Sequence, residues 1–126
     1  MRLLLDTHLL VWWFAGVKLP PKARDLIRDP ANQVFASAAS IWELAIKSAL
    51  GRIDVDADEL VVALLTGGFA ELPITTRHAA AVARLPEHHR DPFDRLLVAQ
   101  CLVEPMHLLT HDRVLAKYGS SIVIAE

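Results

Sequence analysis

Short apolar runs alternate with stretches of helical periodicity along the chain. A short apolar run bounded by turn residues is typical of a strand buried on both faces of a sheet. The runs predict strands at residues 2–6, 34–37, 70–74, 107–110 and 122–125. The periodic stretches predict helices at residues 7–15, 20–29, 38–50, 56–66, 75–84, 91–104 and 113–118, with a polar loop at residues 86–90.

The alternation of strands and helices favours an α/β layer fold with a mostly parallel sheet. Glycines at the predicted helix ends support the boundaries, because Gly16 and Gly51 each follow a helical stretch. In open α/β sheets ligands bind beyond the carboxyl ends of the strands. The functional site is therefore expected at that edge.

Composition restricts the class of protein. The 126 residues carry 13 Lys plus Arg and 15 Asp plus Glu, and the net charge of −2 excludes a generally basic nucleic-acid binder. With 53% apolar and 22% charged residues the chain is not disordered, and its length predicts one domain over residues 1–126. The mean hydropathy of +0.32 fits a sheet buried on both faces.

The apolar amino-terminal segment, MRLLLDTHLLVWWFAG, does not predict a secretory signal, because Asp6 and His8 interrupt it and no clean cleavage site follows. No window of about 18 uncharged apolar residues is present, so no membrane span is expected. Cys101 is the only cysteine in the sequence, which excludes an internal disulfide. We therefore expect a cytoplasmic protein in a reducing compartment.

Two acids lie at the carboxyl ends of predicted strands and precede predicted helices. Asp6 ends the first apolar run, and Asp112 stands two residues after the fourth. An N-cap of the following helix is the alternative role for each. Because parallel strands end at one edge of the sheet, both carboxylates are expected there.

Two more acids lie on predicted helices among apolar residues. Glu43 is flanked by IW and LAI, and its alternative role is a surface ion pair with Lys47. Asp94 begins a helical stripe that continues through Leu97 and Val98, which predicts that it faces inward. Its alternative role is that of a first-turn acid favoured by the helix dipole. The neighbouring Asp91 is interpreted as the N-cap of this helix.

Three or four carboxylates at one point repel one another and do not all stay ionised without a cation. Oxygen ligands of this kind favour the hard divalent ions Mg²⁺ or Mn²⁺. Such sites serve phosphate chemistry, in which the metal activates water and stabilises charge on the phosphate.

Four segments of the chain contain the acids described above, namely LLLDTHLLVWW, SAASIWELAIKSALGRI, HRDPFDRLLVAQ and LLTHD. Together these segments resemble the PIN-domain proteins, and most of all the VapC-like ribonuclease toxins of type II toxin–antitoxin systems. They span nearly the whole chain in the order that the family has. The resemblance implies an α/β/α sandwich around a five-stranded, mostly parallel sheet.

The resemblance also implies Mg²⁺- or Mn²⁺-dependent cleavage of RNA, a homodimer and a cognate antitoxin bound over the active-site groove. The acidic set of the family matches Asp6, Glu43, Asp94 and Asp112. The first three would hold the metal directly or through its waters, and Asp112 would bind a second ion or orient the attacking water. Thr7 and Thr110 flank two of these acids, where a hydroxyl either fixes a carboxylate or serves only the local backbone.

Other functional interpretations remain open at this point. Asp6 after an apolar strand is similar to the start of a phosphatase motif of the haloacid dehalogenase type, but that motif needs a second Asp where this chain has His8. The pair His111-Asp112 is similar to that of the HD-type phosphohydrolases, but those proteins are all-helical, whereas this pair follows an apolar strand. A non-catalytic interaction domain with the same fold is the alternative from a different functional class. For the loop histidines His88 and His89, metal ligation together with Asp91 is the alternative, but their position in a polar loop favours solvated side chains. Residues that would line a groove for phosphates, or else remain solvated, are Lys47, Arg77, Arg95, Arg113 and Lys117.

Three consecutive aromatic residues, Trp12, Trp13 and Phe14, lie in the first predicted helix. Successive helical residues point about 100° apart, so the three rings do not all face one core. Exposure of one ring would indicate an interface, which supports the expectation of a two-fold homodimer. The alternative is that residues 17–21 fold over the rings.

Overall fold

The computed structural model describes residues 1–17 and 19–126, and its central sheet has five strands. The strands are β1 (Arg2–Leu5), β2 (Gln33–Ser37), β3 (Ala70–Leu72), β4 (His107–Thr110) and β5 (Ile122–Ile124). Their order in the sheet is β3-β2-β1-β4-β5, and every neighbouring pair is parallel. The predicted parallel α/β fold is confirmed.

Helices connect the strands and begin or end within two residues of the sequence prediction at most boundaries. They are α1 (Thr7–Ala15), α2 (Pro21–Arg28), α3 (Ala38–Ala49), α4 (Ala57–Thr66), α5 (Thr76–Ala81) and α6 (Pro92–Val103). Short 3-10 helices follow at Val82–Arg84 and Arg113–Tyr118. The stretch predicted as one helix over residues 75–84 is thus divided between α5 and a 3-10 turn. Among the described residues, no helix combines the length and apolar character needed to cross a bilayer.

The sheet is covered on both faces, which makes the three-layer sandwich. Leu5 and Leu109 belong to a buried cluster that includes Leu9 of α1. Leu4 and Leu108, next to them in the strands, belong to a second cluster with α6 residues such as Leu97. Alternate strand residues point to opposite faces, so β1 and β4 supply both cores with leucine. This explains why these strands read as continuous apolar runs.

The register of the central strands brings distant polar residues together. Leu5 of β1 pairs with Leu109 of β4. The residues that follow them in the chain, Asp6 and Thr110, therefore lie side by side. The Asp6 N–H donates to the Leu109 carbonyl at 3.0 Å and extends the pairing by one residue. The carboxyl edge of the sheet therefore carries polar side chains from two segments that are far apart in sequence.

The three consecutive aromatic residues of α1 are all half-buried, and the exposed patch expected there is absent from the described surface. Trp13 and Phe14 pack against Phe69, with ring centroids 6.2 and 5.3 Å away. Trp12 packs against His111 at 4.8 Å. Trp13 and Phe14 thus share Phe69 as a neighbour, and all three rings pack against the same buried cluster.

Part of this cover comes from the segment that follows α1. Leu19 is buried and belongs to the cluster against which the three rings pack, whereas Lys18 lies outside the described residues. The exposed tryptophan is Trp42 on α3, with 57% of its surface accessible. Ile46 and the C-cap residue Leu50 are exposed at four-residue intervals after it, so α3 and its cap present an apolar stripe.

Candidate active site

Asp6 joins the carboxyl end of β1 to the first turn of α1. Its Oδ1 accepts a hydrogen bond from the Leu9 N–H at 2.9 Å, which makes it the N-cap of α1. Its Oδ2 accepts from the Thr110 hydroxyl. The side chain is buried. The cap and the inward-facing carboxylate, which the sequence presented as alternatives, are both present.

Asp112 is held by the same threonine and by its own turn. Its N–H donates to Thr110 Oγ1 at 3.0 Å, and its Oδ1 accepts from the Val114 N–H at 3.0 Å. Asp112 thus caps the 3-10 helix that follows β4. Because Thr110 also donates to Asp6, one hydroxyl connects the two acids that end neighbouring strands.

Glu43 lies on the inner face of α3 and is only 2% exposed. Its Oε1 accepts from the Thr7 hydroxyl at 2.9 Å, and Thr7 Oγ1 also lies 2.9 Å from the hydroxyl of Ser40. Its Oε2 accepts from Lys47 Nζ at 2.6 Å. The ion pair considered from the sequence exists, but the expectation of a surface pair is wrong, because Glu43 is buried. A buried carboxylate depends much more on its neutralising lysine than an exposed one does.

Asp94 lies in the first turn of α6 and faces the other acids. Burial, as the largest cause, and the negative charges of Asp91, Asp6 and Glu43 together raise the pKa of its carboxyl from 3.8 to about 7. The imidazole of His89 opposes this shift. The raised pKa of this carboxyl thus reflects its burial first and the crowding of neighbouring acids second.

Asp91 has a structural role that matches its sequence interpretation. Its Oδ1 accepts from the N–H groups of Phe93 at 2.8 Å and Asp94 at 3.2 Å, so it caps α6. Its charge also acts on Asp94. Asp91 therefore shapes the electrostatics of the site while its carboxylate is engaged by the helix backbone.

The sequence favours a solvated side chain over a ligand for His89, and this interpretation is wrong. It is 19% exposed, and its Nε2 lies 3.2 Å from Asp112 Oδ2 and 3.6 Å from Asp94 Oδ2. One ligand-type atom from each of these three residues lies within 4.8 Å of the others. Its neighbour His88 instead packs edge-on against Tyr118, at 5.1 Å between ring centroids.

The four predicted acids occupy one edge of the sheet but form two groups. Asp94 and Asp112 share the cluster with His89. Asp6 and Glu43 lie beside it, close enough for their charges to raise the pKa of Asp94. Carboxylate oxygens are the donors that Mg²⁺ and Mn²⁺ prefer, and a divalent cation here would relieve the repulsion. The residues therefore fit such an ion.

The remaining candidate residues have mainly local partners. Arg95 donates to the carbonyls of Val82 and Pro86 and so fixes the loop before α6. Arg113 pairs with Glu126 at the surface. Burial raises the pKa of the Cys101 thiol, so this cysteine is a core residue and not a thiolate nucleophile. Arg77 and Lys117 are exposed, as is Arg113.

Comparison with known proteins agrees with this geometry. The model of the PIN domain family matches residues 3–120. The chain belongs to the PIN domain family. The resemblance recognised in the four sequence segments is thereby confirmed. Ribonuclease VapC22 of Mycobacterium tuberculosis (strain ATCC 25618 / H37Rv) is 30% identical to this PIN domain over 117 residues, covering 91% of this chain and 90% of VapC22.

Two solved structures share the fold of this PIN domain. VapBC2 from Rickettsia felis, bound to a DNA fragment from its promoter, superposes with a TM-score of 0.71 at 11% identity, covering 98% of this chain and 97% of the other. VapBC-1 from nontypeable Haemophilus influenzae superposes with a TM-score of 0.64 at 18% identity, covering 98% of each chain. At these identities the structures support the three-layer PIN architecture alone.

Proposed function

We propose that this PIN domain is a metal-dependent endoribonuclease and the toxin of a type II toxin–antitoxin pair. The observation that carries the proposal is the cluster of Asp94, Asp112 and His89 at the carboxyl edge of the sheet, whose ligand-type atoms lie within 4.8 Å of one another. Burial and the charges of neighbouring acids raise the pKa of Asp94 in this cluster to about 7. Strongly perturbed acids cluster at functional sites. The 30% identity to a protein named Ribonuclease VapC22 supports RNA as the substrate.

Mg²⁺ or Mn²⁺ is the cofactor that the donor set favours. Asp6, Asp94 and Asp112 would hold the ion, and Glu43 would contact it directly or through water. When bound, the ion supplies positive charge at the phosphodiester and activates water for attack. No side-chain nucleophile is required, which agrees with the buried position of Cys101.

The residues around the acids keep each carboxylate in place. The Leu9 N–H and the Thr110 hydroxyl hold one oxygen each of Asp6. The Thr7 hydroxyl and Lys47 hold one oxygen each of Glu43. Because a carboxylate oxygen has two lone pairs, every one of these oxygens retains a free lone pair for an ion or its water.

Cleavage of a 5′-labelled single-stranded RNA in Mn²⁺, with EDTA as the metal-free condition, tests the proposal. We expect the wild-type protein to cleave only with metal, and Asp6→Asn and Asp94→Asn to lose cleavage while remaining folded. Asp56→Asn is the matched control, because Asp56 caps α4 through its side chain, as Asp6 caps α1.

Wild-type rates in both site variants would contradict the metal-site assignment. Metal binding without cleavage of any RNA offered would favour the alternative, a non-catalytic interaction domain of the same fold. A calorimetric Mn²⁺ titration, carried out with and without RNA, separates this outcome from a failure to bind metal.

A cognate antitoxin and a second copy of the chain are the protein partners we propose. The antitoxin follows from the VapC resemblance and from the shared fold of two proteins named VapBC. The homodimer is supported by the apolar stripe on α3, where Trp42 and Leu50 are 57% and 63% exposed. Large exposed apolar side chains at helical spacing are typical of an interface.

A further inference from the structure

The hydrogen bonds around His89 define which of its two ring nitrogens carries a proton. The backbone N–H of Asp91 donates to His89 Nδ1 at 3.0 Å. A backbone amide only donates, so Nδ1 is the acceptor and the ring N–H is on Nε2. That N–H points toward the acids, 3.2 Å from Asp112 Oδ2.

This tautomer determines what His89 contributes to the acidic cluster. A metal ligand must offer a lone pair, and Nε2 has none to offer while it carries the proton. His89 therefore differs in role from Asp94 and Asp112, although its atoms fall within the same 4.8 Å group. Its chemistry there is that of a hydrogen-bond donor.

We infer that His89 is a positioning residue that holds the Asp112 carboxylate toward Asp94 for a divalent cation. The inference rests on the metal site of the proposed function. Asp112 is then fixed at both oxygens, by the Val114 N–H on Oδ1 and by His89 on Oδ2. A ligating carboxylate held by such outer hydrogen bonds loses little freedom when the ion arrives.

The loop that carries His89 is itself well anchored. Arg95 of α6 donates to the carbonyl of Pro86 at 2.9 Å, at the start of the loop, and Asp91 caps α6 at its end. His89 is thus fixed through its own Nδ1, through the loop backbone and through Asp112. His88, one residue earlier, packs on Tyr118, and the ion pairs with these acids among the described residues are those of His89.

Mn²⁺ affinity, measured by calorimetric titration of the whole protein, tests the inference without reference to RNA cleavage. We expect His89→Ala to weaken Mn²⁺ binding by about ten- to a hundredfold, the usual effect of removing an outer hydrogen bond from a ligand. His89→Gln restores an N–H donor of similar reach, so most of the affinity should return. His88→Ala is the matched control and should bind as the wild type does.

A second measurement reads the tautomer directly. Nitrogen-15 NMR of the imidazole in the metal-free protein should show a protonated Nε2 and an unprotonated Nδ1 for His89. The opposite tautomer would overturn the inference even if His89→Ala failed to fold.

The remaining outcomes separate this inference from the proposed function. If Asp94→Asn loses Mn²⁺ binding but His89→Ala does not, His89 has no positioning role and the metal site stands. If Asp94→Asn binds Mn²⁺ like the wild type, the metal site itself fails. If His89→Gln binds as weakly as His89→Ala, the hydrogen-bond donor is not what the site needs, and the inference is overturned.

Discussion

The Thr110 hydroxyl donates a hydrogen bond to the Asp6 carboxylate, across a separation of 104 positions in the chain. The same oxygen accepts the N–H of Asp112 at 3.0 Å. A single side chain thus fixes the carboxyl end of β1 relative to the turn after β4. Its position follows from the parallel register that pairs Leu5 with Leu109.

Thr110→Val tests this link, because valine has nearly the shape of threonine and lacks the hydroxyl. We expect Mn²⁺ affinity and RNA cleavage to fall by about ten- to a hundredfold, because Asp6 loses one of its two fixed contacts. Thr110→Ser retains the donor and should keep most of both. Equal losses in the two variants would show that the methyl group, not the hydroxyl, is what matters.

Asp94→Asn should change how stability depends on pH in metal-free protein. The folded-state pKa of Asp94 is about 7, against an ordinary value of 3.8, so the folded state holds a proton that the unfolded chain releases. This contribution is fully present below about pH 4 and is lost as the pH rises through about 7. Asparagine does not titrate in this range, so the variant lacks this pH-dependent contribution to stability.

Thermal unfolding in EDTA across this range measures the effect. The melting temperature of the wild type, minus that of Asp94→Asn, should fall between about pH 4 and 7 and stay level above. Saturating Mn²⁺ should then raise the wild-type melting temperature at neutral pH more than that of the variant. A difference that does not change with pH would contradict the raised pKa.

Glu43→Gln and Lys47→Ala distinguish a role in the site from a simple ion pair. We expect Glu43→Gln to reduce Mn²⁺-dependent cleavage at least about tenfold, since it removes a charge from the cation site. Lys47→Ala should reduce cleavage less, because the cation itself can neutralise Glu43. Cleavage assays on the two purified variants decide between them. Equal, mild losses of cleavage in the two variants would mean that Glu43 serves only the ion pair with Lys47.

The homodimer is predicted to use the exposed stripe of α3. Sedimentation of the wild type at micromolar concentration should give twice the 13.9 kDa chain mass. Leu50→Glu places a charge on a side chain that is 63% exposed, and should give the monomer. Leu102→Glu, on α6, is the control at an exposed leucine outside the stripe. A wild-type monomer would reject the dimer.

Much of the fold could be predicted because the signals are local. Continuous apolar runs gave β1 and β4, and capping residues such as Asp91 marked the helix starts. The position of Asp6 and Asp112 after strands also sufficed to place them at one edge. Capping and a site role are alternatives for Asp6 and Asp112 in the sequence, yet a carboxylate has enough lone pairs to accept a backbone N–H and still face a cation.

The parts that could not be predicted depend on contacts between distant segments. His89 sits in a polar loop with no periodicity, and its partner Asp112 is 23 residues away. The cover over Trp13 and Phe14 comes from Phe69, which no local pattern links to α1. The exposure of Trp42 is likewise decided by which face of α3 packs inward.

The sheet order has a consequence for synthesis of the protein. Asp6, Glu43 and Asp94 all precede β4, yet the hydroxyl that holds Asp6 arrives with Thr110, and Asp112 follows it. A ribosome would therefore translate about nine-tenths of this chain before all four acids of the site are present. Nascent or prematurely terminated chains would be harmless to the RNA around them, and the enzyme would become active only after β4 has inserted beside β1.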